Sequence, residues 1–270
     1  MSRSVPTVRD HRGVHREVEG FSKRAVEYER GRPEYPPALV AWIISRTGVG
    51  PGDVVVDLAA GTGKFTRRLL PSGASLVAVE PVAAMRAQLT AQLPDVRAVD
   101  GTAEATGLPD GAAALVTVAQ AFHWFATAEA LAEIARILRP GGWLALVWNR
   151  RDLSQPIQAE LSRIMAEHRQ ETPSYESGAW SAVMDEAVSF ERVGEERVGF
   201  VQVLDAGGLA DRVGSTSFIA NLPEAEHAAV LREVRALVTG EPVELRYDST
   251  AYLFRRRSPG HEEAVPPAVS

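Results

Sequence analysis

The chain has 270 residues and no cysteine. That excludes disulfides, thiolate nucleophiles and cysteine-held metals, and leaves the redox compartment open. No apolar run approaches the roughly 20 residues needed to span a bilayer. The opening stretch MSRSVPTVRDHRGVHREVEG lacks the apolar core of a secretion signal. These absences make a cytoplasmic protein without membrane contact the expectation. Positive charge is not in excess: 29 Lys and Arg against 35 Asp and Glu leave a net charge of −6, which argues against a nucleic-acid partner. Arg255–Arg257 is too short a basic run to alter that. His11 and His15 stand four apart without the adjacent glutamate of a zinc-protease helix, so no metal is expected. There is no G-x-S-x-G elbow, which disfavours a hydrolase.

What is present is a rhythm. From Pro36 an apolar stripe at Leu39, Val40, Ile43 and Ile44, closed by Gly48, reads as a helix. Then VVVDL, SLVAVE, VRAVD, AALVTVA and WLALVWN read as strands alternating with helices that start near Lys64, after Pro81 and at AEALAEIARIL. Continuous apolar runs separated by single helices predict a parallel sheet covered on both faces, a doubly wound α/β fold. Its ligand belongs at the carboxyl ends of the strands, where the strand order switches. After Asn149 the rhythm changes. A helix over QPIQAELSRIMAEHRQ is followed by ETPSYESGAWSAVMDEAVSF, which reads as loop, and then by RVGFVQVL and VELRYDSTAYLFRR, strands flanking further helices. The expected organisation is a disordered arm over 1–20, one domain over 21–258 and a disordered tail over 259–270. Within the domain, 21–37 is a cap segment, 38–151 the cofactor-binding core, 152–190 an insertion or lid, and 191–258 completes the sheet.

The chemistry concentrates in VVVDLAAGTGKFT. Gly61 and Gly63 let backbone amides approach a ligand at a helix amino end. Glu80 ends the second strand 19 residues past Gly61, where an acid accepts hydrogen bonds from ribose hydroxyls. A dinucleotide fingerprint would place a third glycine at position 66, where this chain has Thr66. Asp57 upstream repels a pyrophosphate but suits a ligand carrying an ammonium, which points to S-adenosylmethionine.

DLAAGTGKFT, VAVEP, GTAEATGLPDG, AQAFHWF and RILRPGGWLALVW, in this order and spacing, resemble a class I S-adenosylmethionine-dependent methyltransferase. The segment FSKRAVEYERGRPEYP ahead of them is similar to the small-molecule branch that includes trans-aconitate methyltransferase-like enzymes. The resemblance implies a mostly parallel seven-stranded Rossmann-like sheet with a lid after strand five. It also implies roles. Asp57, Gly61 and Gly63 hold the methionine end, and Ala59 takes the place of the loop's first glycine. Glu80 binds the ribose, and Pro81 lies beside the adenine. Thr102 (where many relatives carry aspartate), Ala103 and Glu104 form the adenine-edge segment, and Gln120 faces the sulfur or the methionine tail.

For catalysis, His123 in AQAFHWF is the base candidate at the mouth of the site. Tyr28 and Arg32 come from an arm folding over the cofactor, Arg32 to hold an acceptor carboxylate. Tyr35, Phe122 and Trp180 are candidates for lining the acceptor pocket, and Trp124 is expected in the core. The leading expectation is methyl transfer to an oxygen of a small molecule, with nitrogen or carbon as other acceptor atoms. A cofactor binder without transfer activity and an NAD(P) oxidoreductase are the alternatives. Oligomeric state has no signature in the chain.

Overall fold

The structure is a computed structural model that describes residues 29–169, 173–240 and 242–258. The expectations for the arm over 1–20, the tail over 259–270, Tyr28 and the histidine pair His11/His15 fall outside these residues.

Helix α1 (Pro37–Thr47) opens on proline, whose fixed φ suits the first turn, and buries Leu39, Val40 and Ile43. It stops at Gly48, whose left-handed backbone (φ 67°) turns its N–H onto the Ile44 carbonyl. The chain then runs β1 (Val54–Leu58), α2 (Lys64–Leu69), β2 (Ser75–Val79), α3 (Ala83–Gln92), β3 (Arg97–Val99) and β4 (Ala113–Ala119). Helix α4 (Ala128–Ile137) follows, capped by the Thr127 side chain on the Ala130 N–H, and leads into β5 (Leu138–Arg151). Beyond it come α5 (Pro156–Ala166), α6 (Ala179–Asp185), β6 (Phe190–Leu204), α7 (Ala206–Gly214), α8 (Ser217–Ala220), α9 (Glu224–Ala236) and β7 (Val243–Arg256).

The strands form one seven-stranded sheet in the order β3-β2-β1-β4-β5-β7-β6. The pairs β1·β2, β1·β4, β2·β3 and β4·β5 are parallel, and β7 lies antiparallel to β5 from Trp143↔Arg255 to Arg151↔Tyr247. The expected mostly parallel sheet is present, and β1 and β4 stand side by side where the order reverses. The apolar runs are explained by two core layers. Val56, Leu58, Val116, Leu146 and Trp148 face one layer, and Val55, Leu115, Ala145 and Val147 face the other. Successive side chains alternate between faces, so a strand buried on both sides must be apolar throughout. Among the described residues no helix is long and apolar enough to cross a membrane.

By contact the chain divides into two compact units. One comprises the described residues of 34–152, 173–201 and 246–258 and carries the layers just described. The other comprises those of 29–33, 153–169 and 202–245. In it the Asp205 side chain caps α7 on the Gly208 N–H at 2.7 Å, and Arg163 joins Glu160 on its own helix to Glu233 on α9.

One segment departs from the expected loop. Over 173–189 the chain makes a 3-10 turn (Tyr175–Ser177) and the helix α6, hinged at Gly178. Trp180 and Met184, four apart, point the same way and are both buried. Seven residues carry too little periodicity to announce themselves as a helix.

Candidate functional site

The connection from β1 to α2 holds three left-handed residues: Ala59 (φ 57°), Gly61 (φ 59°) and Gly63 (φ 86°). Gly63 is needed twice over, because a Cβ there would lie 2.9 Å from Leu93 Cδ1 and 3.0 Å from Leu89 Cγ. At Gly61 there is space, and the requirement is the backbone alone. Ala59 takes the same backbone at a cost of about 1–2 kcal/mol for an L-residue, part of which glycine would return as unfolded-state entropy. The variant Ala59→Gly should therefore gain roughly 0.5–1 kcal/mol. Urea unfolding checks this, and a loss of stability would show that the turn is not strained at Ala59.

Two carboxylates flank the turn. Asp57, at the end of β1, is 1% exposed. Its Oδ2 accepts from the Thr66 hydroxyl at 2.6 Å and its Oδ1 from the Thr117 hydroxyl of β4 at 2.8 Å. Burial pushes its titration from an ordinary 3.8 to about 6, and the hydrogen bonds recover only part of that penalty. Glu80, following β2, is 4% exposed. Its Oε2 accepts from the Gly61 N–H at 2.8 Å and its Oε1 from the Val82 N–H at 2.9 Å, so it clasps the glycine turn to the start of α3. Burial raises its titration as well, against the pull of these amides and of Arg86.

The loop after β3 places Thr102 and Glu104 at the surface and buries Ala103. The Thr102 hydroxyl accepts from the Ala105 N–H, a local turn that a threonine makes well. Glu133 of α4, unnoticed in the sequence, anchors this loop by accepting from both the Thr106 N–H (2.8 Å) and its hydroxyl (2.5 Å). Arg136, one turn on, binds Glu133 and the Leu108 carbonyl. Arg136 first, and the Thr106 donors after it, hold the Glu133 carboxyl down at about 2 despite some burial.

Gln120 follows β4 with φ 61°, an unusual backbone for a non-glycine residue, and such strain gathers at functional positions. Its side-chain amide donates to the Asn149 carbonyl at 3.3 Å. The Asn149 side chain in turn donates to the Glu34 carbonyl at 3.1 Å and accepts from the Ser249 hydroxyl at 2.5 Å. The Glu34 carboxylate meets Lys64, Arg67 and Arg68 of α2; these cations outweigh burial and hold it below the usual carboxylate range. Tyr35 is buried with its ring edge-on to Phe65 at 4.9 Å, which fastens the segment before α1 to α2.

The 3-10 turn Phe122–Trp124 holds its rings the other way round from the expected arrangement. Phe122 is 0% exposed, edge-on to Phe125 within the core. Trp124 is the half-buried one. His123 accepts at Nδ1 from the Trp148 indole N–H at 3.2 Å. An indole nitrogen only donates, so in the neutral imidazole the hydrogen sits on Nε2. In this arrangement Nδ1 is occupied as an acceptor, and Nε2 is the nitrogen left to meet a further group. Trp180 is buried with its ring centroid 4.5 Å from that of Trp148.

The structure thus gathers Asp57, Ala59, Gly61, Gly63, Glu80 and the exposed Pro81 around one turn, with Thr102–Glu104 and Gln120 on the loops that follow β3 and β4. Arg32 belongs to the other unit, where its guanidinium donates to the Ser215 carbonyl at 2.9 Å. Two buried carboxylates beside a turn too bare to fill with side chains suit a ligand with hydroxyl donors and a positive charge better than a pyrophosphate.

Comparison with known proteins agrees with this geometry. A family model described as a methyltransferase domain matches residues 56–146. An uncharacterized methyltransferase-like protein of Schizosaccharomyces pombe is 35% identical over 219 residues, 81% of this chain and 85% of its own length. An uncharacterized methyltransferase of Mycobacterium bovis is 38% identical over 225 residues, 82% and 86% of the two chains. The solved structure of a putative type II methyltransferase from Anaeromyxobacter dehalogenans shares the fold, with a TM-score of 0.61 at 24% identity over 84% of this chain and 99% of that one. With this sequence kinship across four-fifths of its length and the fold and turn described above, the chain belongs to the class I S-adenosylmethionine-dependent methyltransferases.

Proposed function

We propose that the chain holds S-adenosylmethionine at the turn between β1 and α2 and directs its methyl group to an oxygen of a small-molecule acceptor. The pair of buried carboxylates on either side of a left-handed turn carries the reading. A carboxylate has about four lone-pair positions. The amides of Gly61 and Val82 occupy two on Glu80, leaving two for the ribose hydroxyls. Asp57 supplies negative potential for the ammonium end, Gly61 and Gly63 admit the methionine backbone, and Gln120 stands beside it. Pro81, Thr102, Ala103 and Glu104 flank the base. When bound, the sulfonium supplies an electrophilic methyl group, and the protein's share is alignment and exclusion of water.

The state of His123 supports an oxygen acceptor. A donor at this position orients an oxygen lone pair and removes no proton. Replacing His123 with alanine should raise the acceptor KM by roughly tenfold, about one hydrogen bond's worth, and leave the pH profile of kcat unchanged. A collapse of kcat together with loss of an acid limb would make it a base after all.

The reading as a whole is tested by thermal unfolding with S-adenosylhomocysteine and with NAD. A true ligand at about 100 times its Kd adds about 2.7 kcal/mol. Transfer of labelled methyl into a metabolite extract, followed by mass identification, then names the acceptor. Protection by NAD and none by S-adenosylhomocysteine would sink the proposal.

A further inference from the structure

Buried hydroxyls on and beside this sheet have partners: Thr66 and Thr117 on Asp57, Thr106 on Glu133, Ser249 on Asn149. Thr250 breaks the pattern. It is 0% exposed, and among the described residues its Oγ1 has no hydrogen-bond partner. An enclosed, unmatched hydroxyl is destabilising, whereas a valine of the same shape would carry no such penalty.

Strand register shows which face of the sheet carries this side chain. Thr250 stands directly opposite Trp148 of β5, and residues so paired share a face of the sheet. Tyr252, two residues on, lies with Trp148 and Trp180 in the same core layer. Four rings gather there: Trp148 and Trp180 at 4.5 Å, Trp180 and Tyr252 at 5.0 Å, Trp148 and Tyr175 at 5.0 Å, with Tyr175 stacked on Trp180. The Tyr175 and Tyr252 hydroxyls are 2.7 Å apart, an arrangement that uses one of their two protons and leaves the other to donate. Burial, then the bond to Tyr175, pushes the titration of Tyr252 above its ordinary 10, so its hydroxyl stays protonated at neutral pH. Two residues past Trp148 on the same face, the Arg150 guanidinium lies 5.3 Å over the Tyr175 ring and makes no ion pair among the described residues. Trp148 is also the partner of His123.

An apolar core has no use for an orphan hydroxyl and a spare phenol proton on one face, and the exposed Arg150 guanidinium stands at the rim of that same face. We propose that this cluster is the acceptor site of the transferase and that it takes a flat aromatic carboxylic acid. The ring lies against the indole and phenol faces, an oxygen takes the Thr250 and tyrosine hydroxyls, and the negative charge meets Arg150. Entry requires the segment bearing Tyr175 and Trp180 to lift, and Gly178 (φ 70°, with open space around its Cβ position) is the hinge between them. The proposal rests on the reading of the chain as a small-molecule methyltransferase.

The test is titration of the S-adenosylhomocysteine-loaded protein with cinnamate and 4-hydroxybenzoate, read by tryptophan fluorescence, with cyclohexanecarboxylate as the non-aromatic control. Saturable binding of at least one aromatic acid, tighter than the control, is expected. Thr250→Val should weaken it about fivefold, the loss of one hydrogen bond, while S-adenosylhomocysteine affinity is unchanged and thermal stability is equal or higher. Arg150→Gln should weaken it more. Equal binding by Thr250→Val, equal binding of the control, or binding of neither aromatic acid overturns the site and leaves the methyltransferase reading standing. Failure to bind S-adenosylhomocysteine overturns that reading, and the site with it.

Discussion

Replacing Asp57 with asparagine should make the ligand-free protein more stable at pH 7 and a weaker binder of its cofactor. The folded chain keeps the Asp57 proton up to about pH 6, whereas an unfolded chain releases it near 3.8. Between those values the folded state binds more protons than the unfolded one, so stability falls as pH rises through this window. The stabilising contribution of the bound proton is complete below about pH 4 and gone above about pH 6. Integrated, the buried anion costs about 3 kcal/mol at neutral pH. Asparagine removes the charge and keeps the shape. Its two main partners are hydroxyls, which turn to donate or accept as required. A gain of up to about 3 kcal/mol should appear in unfolding at pH 7 and vanish near pH 4. The opposite change is expected in binding. The wild-type charge favours an ammonium ligand, so affinity for S-adenosylmethionine should rise from pH 5 to pH 7. In Asp57→Asn calorimetry should find affinity at least about tenfold lower, the equivalent of 1.4 kcal/mol, with that pH dependence gone. An unchanged melting temperature across pH would show that the carboxylate is not an energetic burden, and unchanged affinity would remove it from the site.

Why this burden exists was only half legible in the sequence. The alternation of strands and helices, the bare turn and both acids could be read directly, because burial on two faces forces unbroken apolar runs and left-handed backbone favours glycine. Thr66 was visible only as the absence of a third glycine; in three dimensions its hydroxyl holds Asp57. Thr117, 60 residues away, becomes a partner through the β1·β4 register, which no local pattern encodes. The clasp of Glu133 on Thr106 depends in the same way on where α4 lands. The aromatic segment over 173–189 looked like loop because α6 has seven residues, and its order comes from rings of β5 and β7 far along the chain. Phe122 and not Trp124 is the buried ring of their 3-10 turn, because Phe122 packs edge-on against Phe125, a contact that no local pattern announces. Local chemistry therefore marked the glycine turn and its acids, whereas the aromatic cluster of β5, β7 and α6 arises from pairing across strands.

Glu80 should respond to the same kind of substitution in the opposite sense. Its two oxygens each accept from a backbone N–H, Gly61 at 2.8 Å and Val82 at 2.9 Å, and neither donor can turn away. Glutamine offers one acceptor oxygen and one NH2 group, so one end must face a donor with a donor. Either the side chain leaves and both amides lose their partner, or one pair is held in repulsion. Each unmatched buried amide costs about 1–3 kcal/mol. Removing the carboxylate's own burial penalty offsets part of this, and a net loss of about 2 kcal/mol is expected for Glu80→Gln. Because Gly61 is then released, the turn loosens where the proposed site seats the methionine end, and a ribose held as proposed loses a charged acceptor of its two hydroxyls. Together these should lower S-adenosylhomocysteine affinity by about 100-fold or more, about 2.7 kcal/mol. Hydrogen exchange separates the two causes: the Gly61 and Val82 amides should exchange faster in Glu80→Gln even without ligand. If they stay as protected as in the wild type while affinity falls, Glu80 serves the ribose alone and the turn stands without it.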